Sequence, residues 1–227
     1  MKVAGADACR GGWVAAVFNG RGAEVHVFRD FGTLWEKLGT EVELVLADVP
    51  IGLPEDVRQR RCDILARRML GWPRGASVFP VPCRQAVYAG SYREASTINL
   101  RVTGRKLSLQ SWNICGRIRE VDTLLLGCRE ARERVRETHP EVCFAGLGGE
   151  PMRHSKRCRA GVEERRRLLE RWSGCTFRGA MKHDVLDALA GAVTAWLGLA
   201  HGFSRLPPEP EYDPKGLRME ILYFSPG

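Results

Sequence analysis

The run Glu41-Val42-Glu43-Leu44-Val45-Leu46-Ala47-Asp48 sets the strongest limit on what this chain can become. It is nearly continuous in apolar residues through Val42, Leu44, Val45 and Leu46, the pattern of a strand buried on both faces. Such a strand belongs in a sheet covered by helices, which predicts an α/β fold. The run ends in Asp48-Val49-Pro50-Ile51-Gly52-Leu53-Pro54, whose prolines and glycine stop regular structure. Asp48 is thereby left at the carboxyl end of the strand, where α/β sheets present ligand-binding groups.

Around this strand the pattern predicts an ordered series of elements. Strands over 2–7, 12–18 and 23–29, joined by Gly11-Gly12 and Asn19-Gly20-Arg21-Gly22, suit an antiparallel meander. A short helix over 31–38 follows, with Thr33 placed to cap it, and then the strand over 41–48. A basic helix is predicted over 55–70, carrying Arg58, Arg60, Arg61, Arg67 and Arg68, and Gly71-Trp72-Pro73-Arg74-Gly75 ends it. Residues 77–103 read as irregular apart from a short helix near 84–88, and 107–129 as one helix or two. The pattern over 132–144 predicts a strand interrupted or edged by His139-Pro140-Glu141. After it come a loop over 146–151, a charged helix over 162–172 and a final helix over 182–198. A tail begins at Pro207-Pro208-Glu209-Pro210, with a possible edge strand over 219–224. The expected organisation is one domain over 1–205, with 72–130 as an insertion between core elements and 206–227 as an extended tail.

A chain of 227 residues with 44% hydrophobic content can bury a proper core. No apolar stretch reaches the ~20 residues needed to cross a bilayer, and Asp7 interrupts the place where a signal peptide would need its apolar centre. A cytoplasmic protein without membrane association is therefore expected. Eight cysteines stand so far apart that zinc spacing is absent, and in a reducing compartment they read as small apolar residues. Lys and Arg outnumber Asp and Glu by 35 to 27, a net charge of +8 that favours a polyanionic partner. A codon bias toward arginine would produce the same balance.

The final helix carries Lys182-His183-Asp184-Val185-Leu186-Asp187-Ala188-Leu189-Ala190-Gly191-Ala192. Asp184 and Asp187 share one helical face and repel each other there. Asp7 and Asp48 end two of the predicted strands. Each acid has a structural reading: Asp7 as the cap of a glycine turn, Asp48 as an Asx-turn into Pro50, and Asp184 as a helix cap. Together they have a chemical one, because neighbouring carboxylates stay ionised only if a cation intervenes. Hard oxygen ligands select Mg2+ or Mn2+, and two such ions can promote in-line phosphodiester cleavage.

The order βββαβαβα, with acids on the first strand, the fourth strand and the last helix, resembles the ribonuclease H-like fold. That resemblance implies a mixed five-stranded sheet in which Asp7 and Asp48 lie side by side. The run Asp184-Val185-Leu186-Asp187-Ala188-Leu189-Ala190 is similar to the last acidic motif of Holliday-junction resolvases of the RuvC type. Over nearly the whole chain, the segments Gly5-Ala6-Asp7-Ala8-Cys9-Arg10-Gly11-Gly12-Trp13, Asp48-Val49-Pro50-Ile51-Gly52-Leu53, Ser77-Val78-Phe79 and His139-Pro140-Glu141 resemble the family called predicted RNase H-like nucleases, otherwise a domain of unknown function. The resemblance implies a metal-dependent nuclease with Asp7, Asp48, Asp184 and Asp187 as ligands and Glu141 as a further catalytic acid. Asp48 departs from the resolvase pattern, which has glutamate there. Arg10, Arg61, Arg67, Lys156 and Arg165 are the candidate contacts to nucleic acid, DNA or RNA, and His139 is the candidate for proton transfer. A nucleic-acid-binding or adaptor protein that does not cleave is the alternative.

Overall fold

The computed structural model describes residues 1–56, 59–177 and 181–227. Strands β1 (Val3–Cys9), β2 (Gly12–Phe18) and β3 (Ala23–Phe28) form the expected antiparallel meander. Gly11 makes the first turn at φ 92°, a conformation that glycine adopts without strain. After helix α1 (Phe31–Leu38), strand β4 (Val45–Ala47) pairs in parallel with β1, and β5 (Val135–Glu137) pairs in parallel with β4. The result is a mixed five-stranded sheet in the order β3-β2-β1-β4-β5, flanked by helices. The N-cap of α1 is Asp30, which accepts from the Thr33 backbone N–H at 2.7 Å, so Thr33 is the capped residue and not the cap.

Strand alternation divides the core. Ala4, Ala6, Val45 and Ala47 face one apolar cluster, which includes Phe31 and Leu34 of α1. Val3, Leu44 and Leu46 face the other, built on helices α7 (Pro140–Gly148), α8 (Arg159–Ser173) and α9 (His183–His201). By the same period of two, Asp7 and Asp48 point toward the α9 face. The parallel register Ala6↔Ala47 extends to them, and the Asp48 N–H donates to the Ala6 carbonyl at 2.8 Å.

Between β4 and β5 lie α2 (Arg61–Arg74), α3 (Arg84–Val87), α4 (Tyr92–Thr103), α5 (Leu109–Gly127) and α6 (Arg129–Arg134). The expected basic helix thus begins at Arg61, and Arg58 lies outside the described residues. Regular helical geometry in α2 stops at Gly71 (φ 59°) and Trp72, where the sequence breaks. Helix α4 replaces much of a segment expected to be irregular. Ser91 caps it by accepting from the Glu94 N–H at 3.3 Å, while Glu94 reaches back to the Gly90 N–H at 3.0 Å.

Two expectations are corrected by a proline and by the carboxyl-terminal segment. The predicted strand over 132–144 is a three-residue strand followed by α7, because Pro140 opens that helix, where its fixed φ fits and its missing N–H costs nothing. Glu141 is accordingly in a first helical turn and not at a sheet edge. The carboxyl-terminal segment forms a separate antiparallel hairpin, β6 (Ser204–Tyr212) with β7 (Arg218–Tyr223), so β7 is no edge strand of the main sheet. The hairpin buries Leu217, Ile221 and Leu222 against the rest of the chain. No described helix is long and apolar enough to cross a membrane. All eight cysteines are free thiols, and Cys62, Cys83, Cys115 and Cys143 are buried.

Helix α9 lies directly on β1. A Cβ at Gly5 would stand 2.0 Å from the Ala188 carbonyl oxygen and 2.3 Å from the Ala192 nitrogen. Both are backbone atoms, so the helix itself would have to shift. Gly5→Ala should therefore lower unfolding stability by about 3 kcal/mol, measured by urea denaturation, whereas Gly22→Ala, which meets nothing within 4 Å, should not produce such a loss.

Candidate functional site

Asp7 is 9% exposed at the end of β1, half-buried Asp48 follows β4, and Asp187 is 2% exposed in the second turn of α9. The three come together because α9 crosses β1 at Gly5 and turns the residue four before Gly191 toward the ends of β1 and β4. Burial raises the Asp7 carboxyl well above its ordinary value, and the Asp48 and Asp187 carboxylates raise it further. Asp48 is also raised by burial, although His139 and Lys156 oppose the rise. The two carboxyls end neighbouring parallel strands, so each senses the charge of the other.

The cation among these acids is Lys156, whose Nζ donates to Asp187 Oδ2. Burial lowers the affinity of Lys156 for its proton, but Asp187, Asp48 and Asp7 together outweigh that effect and its pKa is raised. Asp187 is itself raised by burial against the opposing pull of Lys156. Glu141 is near enough to raise both Asp48 and Asp187, so the fourth acid of the cluster is Glu141. Its Oε1 accepts from Arg165 Nη2 at 2.6 Å. Asp184 stands a turn earlier, half-buried, where His183 Nδ1 lies 2.9 Å from its Oδ1. It lines a shallower depression with Cys9, Arg10, Arg157 and Lys182.

Asp7, Asp48, Glu141 and Lys156 line a cavity of about 340 Å³, in the range of small-molecule sites. Its other walls include Val49, Val78, Phe79, Ile114 and Arg117. His139 lines it too, with Nε2 3.5 Å from Ser77 Oγ. Beneath the cavity, fully buried Arg60 donates to Glu137 Oε2, and that oxygen also accepts from the Ile51 N–H at 2.7 Å. Sequence reasoning did not find Arg117, Glu137 or Asp63. Ser77 and Phe79 belong to the Ser77-Val78-Phe79 segment and carry no local signal of their own.

The basic residues do not make a single surface. Arg10 is exposed at the rim, beside Lys156, Arg157 and Lys182. Lys156 is within the acid cluster. Arg67 is half-buried and donates from Nε to the Val78 carbonyl at 2.6 Å, and exposed Arg61 lies 4.0 Å from Glu211 of the hairpin. Arg165 is corrected outright: it is 0% exposed, donates to the His154 and Gly161 carbonyls at 3.0 Å, and stacks over Phe144. A side chain so enclosed cannot reach a polyanion.

The oxygen-rich donor set suits a hard divalent cation. Asp187 Oδ1 and Glu141 Oε2 are buried without a hydrogen-bond partner among the described residues, which leaves two acceptors for such an ion. As the side chains stand, no group of three His, Cys, Asp or Glu among the described residues is arranged to hold a metal, and the Lys156 ammonium serves as the counter-charge.

The profile of the family described as "Protein of unknown function (DUF429)" matches residues 5–212. No curated protein and no solved structure matches the chain.

The raised Asp7 carboxyl predicts a measurable cost. The folded state binds the Asp7 proton more tightly than the unfolded state, so this group favours the fold below its ordinary value of 3.8 and disfavours it above its raised folded value. Asp7→Asn should therefore stabilise metal-free protein at pH 8 by about 1 kcal/mol, and the gain should shrink as the pH falls toward 4. Chemical denaturation across that range checks both statements.

Proposed function

The chain belongs to the DUF429 family, and we propose that it is a divalent-metal-dependent hydrolase of nucleic-acid phosphodiester bonds built on a ribonuclease H-like fold. One observation carries this reading: carboxyls from β1, the end of β4 and α9 come together, the first two lining a cavity that adjoins a depression walled by Arg10, Arg157 and Lys182. The strand order β3-β2-β1-β4-β5, antiparallel on one side of β1 and parallel on the other, supports the fold assignment.

Asp7, Asp48 and Asp187 would hold Mg2+ or Mn2+, with Glu141 Oε2 as a further oxygen. A bound divalent ion would supply Lewis acidity toward a phosphate oxygen. The protein's own groups do the rest. Arg10, Arg157 and Lys182 at the rim attract the phosphate backbone and orient it over the acids. Lys156, the half-buried cation, faces the negative charge that develops on the phosphoryl group. His139 is half-buried at the cavity wall, where it can pass a proton to the departing oxygen. The apolar wall of Val49, Val78, Phe79 and Ile114 excludes water from one side of the reacting phosphate.

A second reading follows from Lys156. Its ammonium already offsets the acids, an arrangement suited to a nucleic-acid-binding protein that does not cleave. That reading expects binding that weakens with salt and is unchanged by EDTA.

Asp187→Asn should lower Mn2+-dependent cleavage of single-stranded, duplex, hybrid or branched substrates by about 10³-fold, a barrier increase of about 4 kcal/mol, without loss of the folded circular dichroism spectrum. Wild-type protein that neither binds Mn2+ in a titration nor cleaves any of these substrates would sink the hydrolytic reading.

A further inference from the structure

A second cavity lies beside the acidic one, and the two share Asp63 and Val81 as lining residues. Its volume is about 90 Å³, several times the ~15 Å³ that one water requires and well below the ~300 Å³ of ordinary ligand pockets. It has room for a tetrahedral oxyanion and not for a nucleoside.

The charge on its walls is one-sided. Arg60, Arg67, Arg105 and Lys106 all line it, and Asp63 is the only acid among its lining residues. Arg60 also pairs with Glu137, so four cations stand against two carboxylates. The guanidinium groups are incompletely satisfied. Arg60 is 2% exposed, yet its Nε and Nη1 have no hydrogen-bond partner among the described residues. Arg67 Nη2 is likewise buried and unpartnered. Buried arginine N–H groups without acceptors are costly, and both of these side chains face one small enclosed space.

The amino end of a helix also borders the cavity. Ser108 and Ser111 line it, and Ser108 caps the 19-residue helix α5 by accepting from the Ser111 N–H at 3.0 Å. The amino end of α5, with its positive dipole, therefore adjoins the same space. With its amide turned so that the oxygen faces Arg105, Gln59 accepts from both terminal nitrogens of that side chain at 2.6 and 2.7 Å.

We propose that this cavity is an anion site for a phosphoryl group, held by Arg60, Arg67, Arg105 and Lys106 at the amino end of α5. Guanidinium groups match the oxygens of phosphate bidentately, and an acceptor placed between Arg60 and Arg67 would satisfy the orphaned donors. The assignment does not rest on the proposed hydrolysis, because none of the residues Asp7, Asp48 or Asp187 lines this cavity.

Isothermal titration of the full chain with inorganic phosphate tests it directly. Wild-type protein should bind one phosphate. Arg105→Gln combined with Lys106→Gln, which changes two exposed side chains, should weaken binding by about tenfold, and Asp187→Asn should leave it unchanged. Arg67→Lys, which keeps the charge but loses the fork, should weaken it as well. A 5′-phosphorylated oligonucleotide that displaces phosphate, where its 5′-hydroxyl counterpart does not, would identify the group as part of a strand, and failure to displace it would identify a free anion. Absence of phosphate binding by wild-type protein, or equal binding by the folded double variant, would overturn the proposal.

Discussion

The close approach of α9 to β1 is the constraint on which the rest of the structure depends. At Gly5 the strand offers no side chain, so the backbone of Ala188 and Ala192 can lie almost against it. Gly191 answers from the helix, where an added Cβ would stand 3.1 Å from the Gly5 Cα. This contact fixes both the height and the rotation of α9. Asp187 is one turn before Gly191 and consequently arrives beside Asp7 and Asp48 as a matter of helical geometry. The alanines around it serve the same end, since larger residues would lift the helix and separate the acids.

The segment after Asp48 is held by buried arginines. Glu137 takes the Ile51 N–H and is paired with Arg60, while Asp213 of the hairpin turn takes the Leu53 N–H at 3.0 Å. Asp213 is in turn paired with Arg84, which also binds Asp122 of α5 and Glu55. The inserted helices, the carboxyl-terminal hairpin and the loop leaving the site are thus joined through two guanidinium groups. Desolvating these ions is expensive, and a hydrophobic cluster would give comparable stability. What the ionic arrangement provides is direction: Glu137 and Asp213 each accept a backbone N–H and hold the 49–55 segment in one path.

The amino-terminal half of the sheet was readable because alternation and turn chemistry agree in β1, β2 and β3. The doubly apolar run around Val45 correctly indicated a strand covered on both faces, although only three residues join the ladder. Elsewhere local patterns misled. Val135, Val142 and Phe144 look like one strand, but Pro140 opens a helix between them. Ser91 and Glu94 form a capping box in the segment expected to be irregular, where α4 buries only Ala95 and Asn99. The tail looked extended because of its prolines, yet Asp213 and Ile221 tie it to the core. Arg165 has the composition of a surface charge, but Gly161 and Leu169, one turn to either side, place it on the buried face of α8. Among the acids, Asp7, Asp48 and Asp187 were legible from their elements, whereas the pairing of Lys156 with Asp187 connects residues 31 apart and left no local signal.

That lysine sets the electrostatic balance of the site. Three acids with raised proton affinities share one ammonium, so the cluster holds protons where an open carboxylate would not. The segment carrying Lys156 is itself fixed. Glu164 accepts from the Arg153 and His154 N–H groups at 2.9 and 3.0 Å, and Gly161 packs so closely on Ser155 that a Cβ there would stand 2.0 Å from its carbonyl oxygen. Only the flexible side chain can withdraw. Any divalent ion entering the cluster must therefore compete with the ammonium for Asp187 Oδ2 and with protons for the raised carboxyls of Asp7 and Asp48. The cost of both steps falls on ion affinity, and the release of repulsion among the carboxylates offsets it.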